Sequence, residues 1–460
     1  MLREFIEIEA REQLWQAEIR HLHLWTTLRF RVLSSVIRRE QNLEYSFARE
    51  NRITQLYPHI LSRHLRTVMA LFRGKQKDSP YDAIVFKKAR NYSLYAAYYE
   101  RITHPLIMDR SWRGNVSEHA WQTQDTLLMD TLLILSMLRR YTLNLTVAEE
   151  KLLREWVHQV VNAYDLSQES EILFTVARNM LLTSVTMRQL LEEHIVPHLR
   201  RSLAIIHQAY YLENYSVLTR TLREYGCTIA ELQHGVIFPN HVAYNFPQSI
   251  QYNPQHPAHL YKPDVLLTFG DFWNQQISVL GATRTIGHPL LSDKLAHLKP
   301  STHEKQTLVV SQGTFSEQLS TITASLARAY PDETFIYKLH PEEIDFPDRY
   351  THLRAFANVK VIDYQAPIHD FIEQSATIFG AYSTVLFEAI AYPERRIFIL
   401  DSDFLDAEIA RQLGTLITSA EEITDIFRDE TYGYPTLNAH DVWHPDWEAN
   451  LNRFLQETIQ

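Results

Sequence analysis

One cysteine, Cys227, stands in the whole 460-residue chain. With no second thiol an intramolecular disulfide is excluded, as suits a reducing compartment, and Cys227 itself precedes an apolar run and reads as core. Basic charge is short as well. Against 55 Asp and Glu stand 45 Lys and Arg, a formal net charge of −10, which argues against wholesale nucleic-acid binding because that needs a basic domain or stripe. Any anionic ligand has to be held locally. No run reaches the roughly 18–20 apolar residues of a membrane span. The nearest, TLLMDTLLILSML over residues 126–138, is short and contains Asp130. The opening MLREFIEIEAREQLW mixes acids and bases where a signal peptide has a basic start and an apolar stretch, so the sequence reads as cytoplasmic.

Motifs for several common chemistries are missing too. There is no P-loop and no GxGxxG fingerprint, so the chain is neither a Walker ATPase nor an evident NAD enzyme. HExxH and paired Cys/His spacings are absent despite 22 histidines. His194 and His198 sit four residues apart, but no third ligand is placed by sequence and Pro197 disturbs the helix between them. Neither a metal nor a bound cofactor is expected.

What is present describes a globular protein of two or three domains, with 45% hydrophobic and 22% charged residues. Residues 1–78 read as a helical N-terminal region, because Leu14, Trp15, Ile19, Leu22, Trp25, Leu28, Val32, Leu33 and Val36 recur at three- and four-residue spacings. Arg20, Arg29, Arg31, Arg38 and Arg39 make it basic. Such a helix either packs on the next domain or makes a peripheral membrane contact that finds a lipid-linked acceptor. Residues 79–285 read as a first Rossmann-like α/β domain. It opens on the strand YDAIVF and contains a βαβ unit: a strand from Arg201 to Ala209, a helix SVLTRTLREYG stopped by Gly226, and the strand CTIAELQ. The strand DVLLTF then turns at Gly270 into a helix capped by Asp271 and ended at Gly281.

Residues 286–435 alternate more cleanly: TLVVSQ, helix, TFIYKLHP, VKVID, helix PIHDFIEQS, ATIFGAY, helix STVLFEAIAY and RIFILD. Alternation of this kind predicts a doubly wound parallel sheet with ligands at the carboxyl ends of its strands. Residues 436–460 place Trp443, Trp447, Leu451 and Phe454 on one helical face that should dock on another surface.

Four strand ends carry candidate chemistry. In YSTVLFEA, Tyr382 precedes Ser383 and Thr384 at a strand-to-helix junction, where unpaired backbone amides and two hydroxyls suit phosphate, and Glu388 one turn on suits ribose hydroxyls. In KLHPEE, His340 can donate to phosphate, Lys338 adds charge, and Pro341 fixes the backbone where the strand stops. In SQGTFSE, Gly313 allows close backbone approach beside Ser311, Gln312 and Thr314. In ELQHGVIFPNHVAYN, His234 is offered at a strand end as a general base that Glu231 can orient. The loop that follows holds His241, Tyr244 and Asn245, suited to a hydroxyl-rich acceptor. Each has a plain alternative: an N-cap with a solvated Glu, a turn histidine, a lone glycine, a buried hydrogen-bonded histidine.

Taken in order, QHG, TFGDFW, GHPLLSD, VVSQGTF, KLHPEE and YSTVLFEAI resemble a series found in bacterial surface-polymer transferases. These include the CDP-glycerol glycerophosphotransferases and the sialyl- and polysialyltransferase-like group with HP and Ser-rich motifs, over roughly residues 200–400. The resemblance implies His234 as catalytic base and His340 with Pro341 on the donor phosphate. It also maps a linker pattern onto Gly287, Pro289 and Asp293, and a Ser-rich element onto Ala381–Thr384 with its downstream acid at Glu388. The chain departs from the pattern at Gln233, Ala381 and Glu388. The resemblance further implies a GT-B architecture, with an N-terminal acceptor domain, a C-terminal nucleotide-donor domain and a crossover helix at the end. The activity it implies is metal-independent, inverting sugar transfer, with the nucleotide-sugar donor as substrate rather than cofactor. A CMP- or CDP-type donor comes first and UDP or GDP next; the acceptor is a glycan or lipid-linked hydroxyl at the inner membrane face. A GT-B-like epimerase and a noncatalytic nucleotide-sugar-binding protein are the alternatives.

Overall fold

The computed structural model describes residues 2–40, 81–87, 126–206 and, apart from 212–213, 240, 289–290, 293–294, 296–304, 342, 345, 365 and 403–404, residues 209–458. The expectation of helix over 41–78 and the linker residues Pro289 and Asp293 lie outside these.

Two six-stranded sheets, parallel throughout, make the frame. The first is built from β1 (Tyr81–Lys87), β2 (Thr126–Leu128), β3 (Leu199–Ile206), β4 (Thr228–Leu232), β5 (Val265–Thr268) and β6 (Ala282–Thr285), in spatial order β2-β1-β3-β4-β5-β6. The second is built from β7 (Gln306–Val310), β8 (Thr334–Lys338), β9 (Val359–Ile362), β10 (Thr377–Gly380), β11 (Arg396–Leu400) and β12 (Thr415–Ile417), in order β9-β8-β7-β10-β11-β12. Numbered within its own unit, that order is 3-2-1-4-5-6, the doubly wound arrangement whose chain direction reverses between β7 and β10. Two doubly wound units in one chain give the GT-B architecture with a helical N-terminal extension.

The strands are apolar because both faces are covered. In β7, Val309 faces Leu319, Ile322 and Leu326 of α8 (Ser316–Ala329), whereas Leu308 and Val310 face the opposite core. In the first sheet, Ala204, Ile206 and Ile229 pack on helices α5 (Ser170–His194) and α6 (Tyr215–Glu224). The other face, with Leu203, Ile205, Ala230, Leu232 and Leu267, is covered by Trp447, Leu451, Phe454 and Leu455 of α13 (Trp447–Thr458). The last helix of the chain therefore completes the first sheet.

Between the two units lies an aromatic core in which Phe238, Phe269, Phe272 and Trp273 meet Phe387 and Trp443. Trp273 donates its indole N–H to the Val442 carbonyl, and Trp443 donates to the Phe387 carbonyl, both at 2.9 Å. Gly287 has φ +111°, and a Cβ there would lie 2.4 Å from the His444 carbonyl oxygen, so this link between the units takes only glycine without displacement.

The N-terminal expectation needs one correction. Helices α1 (Leu2–Arg11) and α2 (Leu24–Glu40) are separated by a 3-10 turn at Leu14–Gln16 and a two-stranded hairpin, Glu18–Ile19 with Leu22–His23. The hairpin turns through Arg20 and His21 at φ 52° and 61°, a left-handed pair that matches strand twist but breaks helix. All the apolar residues that defined the stripe are nevertheless buried, against α4 (Val147–Ala163) and α5. The stripe of α2 thus faces the protein interior. Among the described residues no helix is long and apolar enough to cross a membrane. A smaller correction concerns the helix after β5: α7 runs Asp271–Gln276 with Gly270 as its cap and Asp271 as its first residue, and it stops five residues short of Gly281.

Candidate functional site

The ends of β8, β7 and β10 lie side by side at the point where the second sheet reverses, and the sequence-selected residues follow those strands. Ser311, just past β7, is buried and bonds inward, donating to Glu343 Oε1 at 3.0 Å beside the Tyr337 hydroxyl at 3.1 Å. Gln312 and Thr314 are half-buried, and Gly313 is exposed with open space where a Cβ would stand. The Gln312 Oε1 is buried and accepts no hydrogen bond from the described residues.

Lys338 departs from its expected role of a charge offered to the cleft. It is 7% exposed and its ammonium donates to the carbonyls of Leu339 at 3.3 Å and Tyr364 at 3.0 Å. Burial pushes its pKa down. It ties the end of β9 to the end of β8. His340 and Pro341 are exposed at the strand end. Their turn is pinned by Glu343, which accepts the His340 N–H at 2.9 Å and the Tyr350 hydroxyl.

After β10 comes α10 (Thr384–Ala389), with Ser383 as its cap accepting the Val385 N–H at 3.3 Å. Tyr382 is half-buried and meets Phe315 edge-on at 5.7 Å. Thr384 Oγ1 accepts the Val236 N–H at 3.3 Å, so a hydroxyl of the second unit touches the loop that carries His234. Glu388 also departs from expectation. At 1% exposure it points inward, its Oε2 3.6 Å from His369 Nε2, and His369 Nδ1 is 2.9 Å from the Tyr392 hydroxyl. One helical turn beyond Thr384 the side chain lies on the buried face of α10.

Opposite, β4 ends in a polar aromatic cluster. Glu231 is fully buried and hydrogen-bonded to the Tyr244 hydroxyl, and its Oε1 lies 4.0 Å from His234 Nδ1. The His234 side chain is 22% exposed, with the rings of Tyr211 and Tyr244 at 6.3 and 6.0 Å. His241 Nε2 meets the Tyr211 hydroxyl at 3.2 Å, and burial pulls its pKa down to about 4, so it is neutral at physiological pH. Asn245 bonds the Phe238 and His241 carbonyls and the Ser278 N–H, which makes it a tie within the loop rather than an open donor. From the N-terminal region, the buried Arg29 pairs with Glu9 at 2.7 Å and donates to the Val242 carbonyl at 2.7 Å, holding this loop from behind.

Burial pushes the Glu231 carboxyl up to about 8 from an ordinary 4.5. A raised folded-state pKa stabilises fully below the unfolded value and loses that contribution as pH climbs to the folded one. Glu231→Gln removes this slope, about 1.4 kcal/mol per pH unit at most. The stability difference, variant minus wild type, should therefore rise from pH 5 to about 8 and then level, read by urea unfolding at each pH. A flat difference would mean that the carboxyl titrates normally.

The structure thus places Gln312–Thr314, His340, Pro341 and Tyr382–Thr384 just past the neighbouring ends of β7, β8 and β10, and joins the loop that follows His234 to Thr384 through Val236. Ser311, Lys338, Glu388 and Asn245 stand behind these surfaces. Tyr210, Tyr211, Glu343 and His369 were missed. An aromatic pair directly after the strand Leu199–Ile206 was a usable signal, and so was an acid two residues past His-Pro. The sequence also contains one DxD spacing, Asp401–Asp403, following β11, although Asp403 lies outside the described residues. Among the described residues no group of three or more His, Cys, Asp or Glu is placed to hold a metal ion.

No family model matches the chain, and no curated protein does. Solved structures do. The wall teichoic acid polymerase TagF is 11% identical, with 94% of this chain and 96% of that one covered and a TM-score of 0.44. The UDP-GlcNAc 2-epimerase of Neisseria meningitidis is 11% identical over 82% of this chain and 98% of that one, also at 0.44. MurG of Acinetobacter baumannii is 7% identical over 62% and 79%, at 0.35.

Proposed function

We propose that the protein transfers a sugar, or a sugar-like group, from a nucleotide-activated donor to a hydroxyl of a surface-glycan acceptor. The donor phosphates lie in the β8-β7-β10 crevice, near His340 and the start of α10. The acceptor hydroxyl lies at His234, which removes its proton as the oxygen attacks. What carries this reading is the meeting of the two halves at Val236 and Thr384, which sets a strand-end histidine of one unit against the switch-point crevice of the other. A CMP- or CDP-type donor comes first, then UDP or GDP, and the setting is the inner membrane face. Because the apolar stripe of α2 is buried, any membrane contact there uses other residues.

Thermal stabilisation across CMP, CDP, UDP, GDP and ADP tests the donor site. A nucleotide at about 100 times its Kd adds about 2.7 kcal/mol to the native state. One nucleotide class should shift the melting temperature, and His340→Ala should abolish the shift. Product analysis then separates a transferase, which releases free nucleotide, from an epimerase, which returns an altered nucleotide sugar. No shift with any of the five would overturn the donor site.

A further inference from the structure

A hydrogen bond from a peptide N–H runs in one direction, whatever the protonation of its partner. The His340 N–H gives such a bond to Glu343 Oε2 at 2.9 Å, and the Glu343 N–H returns one to the His340 carbonyl, also at 2.9 Å. The turn that presents His340 and Pro341 past the end of β8 is thus closed twice by one residue, whose side chain is 2% exposed. We propose that Glu343 is a positioning residue for the donor site, setting the His340 turn and the Gln312–Thr314 loop in one arrangement before the nucleotide binds. The donor rests on the transfer reading above, whereas the hold on the turn rests on the geometry alone.

The carboxyl reaches the loop through its other oxygen. Glu343 Oε1 lies 3.0 Å from Ser311 Oγ and is also bonded to the Tyr350 hydroxyl. Ser311 Oγ is in turn 3.1 Å from the Tyr337 hydroxyl, which lies 3.2 Å from the Ser316 carbonyl. The residues between Ser311 and Ser316 are therefore tied at both ends to the network that holds the His340 turn. A carboxyl buried to this extent is costly unless its oxygens are hydrogen-bonded, so few orientations of the side chain are open to it. Ser311 and Tyr350 bring hydroxyls, which can give or accept, but the His340 N–H can only give. What position 343 has to supply at the turn is an accepting oxygen.

Pro341 fixes its own φ but has no N–H with which to tie the turn. Holding the two exposed segments in the binding geometry removes an ordering cost that the nucleotide would otherwise bear. That gain is the same for the bound donor and for its transition state, so its loss raises KM and leaves kcat. Glu343 takes no part in the chemistry itself.

Glu343→Leu takes the accepting oxygen away, and Glu343→Gln keeps it. In amide hydrogen exchange of the full chain followed by NMR, the His340 N–H should exchange about 10-fold faster in Glu343→Leu, the worth of one buried hydrogen bond. The Leu339 and Ser311 N–H groups, bonded to the Ile362 and Lys338 carbonyls, should stay protected, and Glu343→Gln should leave all three slow. The Kd of whichever of CMP, CDP, UDP, GDP and ADP raises the melting temperature should weaken about 10-fold in Glu343→Leu and stay within about 3-fold of wild type in Glu343→Gln and in Tyr350→Phe, which spares the His340 bond. With the matching sugar nucleotide, KM should rise in Glu343→Leu by the factor seen in Kd while kcat holds. A His340 amide that exchanges alike in wild type and Glu343→Leu overturns the proposal. So does an affinity lost equally in Glu343→Gln or Tyr350→Phe, which would mean a general loosening. Should Glu343→Leu fail to fold, Glu343→Asp, one methylene short of the His340 N–H, is measured in its place against the same outcomes. If wild type binds none of these nucleotides while the His340 amide responds as expected, the transfer reading falls and the hold on the turn stands.

Discussion

His234→Ala should lower the rate of nucleotide release by about two to four orders of magnitude, the usual contribution of a positioned general base, while the nucleotide-induced thermal shift stays as in wild type. The split follows from the geometry. His234 belongs to the β4 end of the first sheet, whereas the crevice for nucleotide belongs to β8, β7 and β10 of the second. Removing the imidazole takes away the proton acceptor without touching Gln312–Thr314, His340 or Ser383. Initial-rate kinetics beside a melting curve check both halves at once. Full turnover in the variant would remove His234 from the chemistry, and loss of the shift together with the rate would mean that the residue holds nucleotide.

The largest stability effect is expected at Trp443. Its indole is fully buried between Phe269 and His288, both at 5.2 Å, and Trp273 at 6.1 Å, and its N–H is held by the Phe387 carbonyl. Trp443→Ala leaves a cavity at the junction of the two units and strips a buried carbonyl of its donor. Substitutions of this size cost about 3–5 kcal/mol. Chemical denaturation should show it as a lower midpoint, and a cost below about 1 kcal/mol would mean that the junction repacks freely. Trp443→Phe, which keeps most of the volume, should lose clearly less.

Much of the frame was legible because it depends on local pattern. Short apolar runs bounded by turn residues became strands, and the three- and four-residue stripe at the N-terminus became a buried face even where a hairpin interrupted it. The hairpin itself carried little signal: Arg20 and His21 adopt left-handed conformations without the Asn or Gly that usually marks them. For the candidate site residues, the place in the fold was more legible in the sequence than the direction of the side chain. Placing Ser383, His340 and His234 at strand ends needed only the alternation of elements. Seeing that Glu388 turns to His369, or that Lys338 serves the Tyr364 carbonyl, needed contacts between segments 19 and 26 residues apart. Whether a polar side chain faces a cleft or a neighbour is decided by tertiary packing, which spacing along the chain does not encode.

The position of α13, which begins at Trp447 although the last strand of the sheet it covers ends at Thr285, has a consequence for synthesis. Trp447, Leu451, Phe454 and Leu455 cover one face of a sheet whose strands lie between residues 81 and 285. While the ribosome is still translating the second unit, that face of the nascent first unit has no cover, and an uncovered apolar sheet invites aggregation. The second unit draws its β-strands from one continuous stretch, Gln306 to Ile417, and can form its sheet as it emerges. Native assembly of the first waits until Trp447–Leu455 have been made and have emerged, a delay in which a chaperone would be the natural companion.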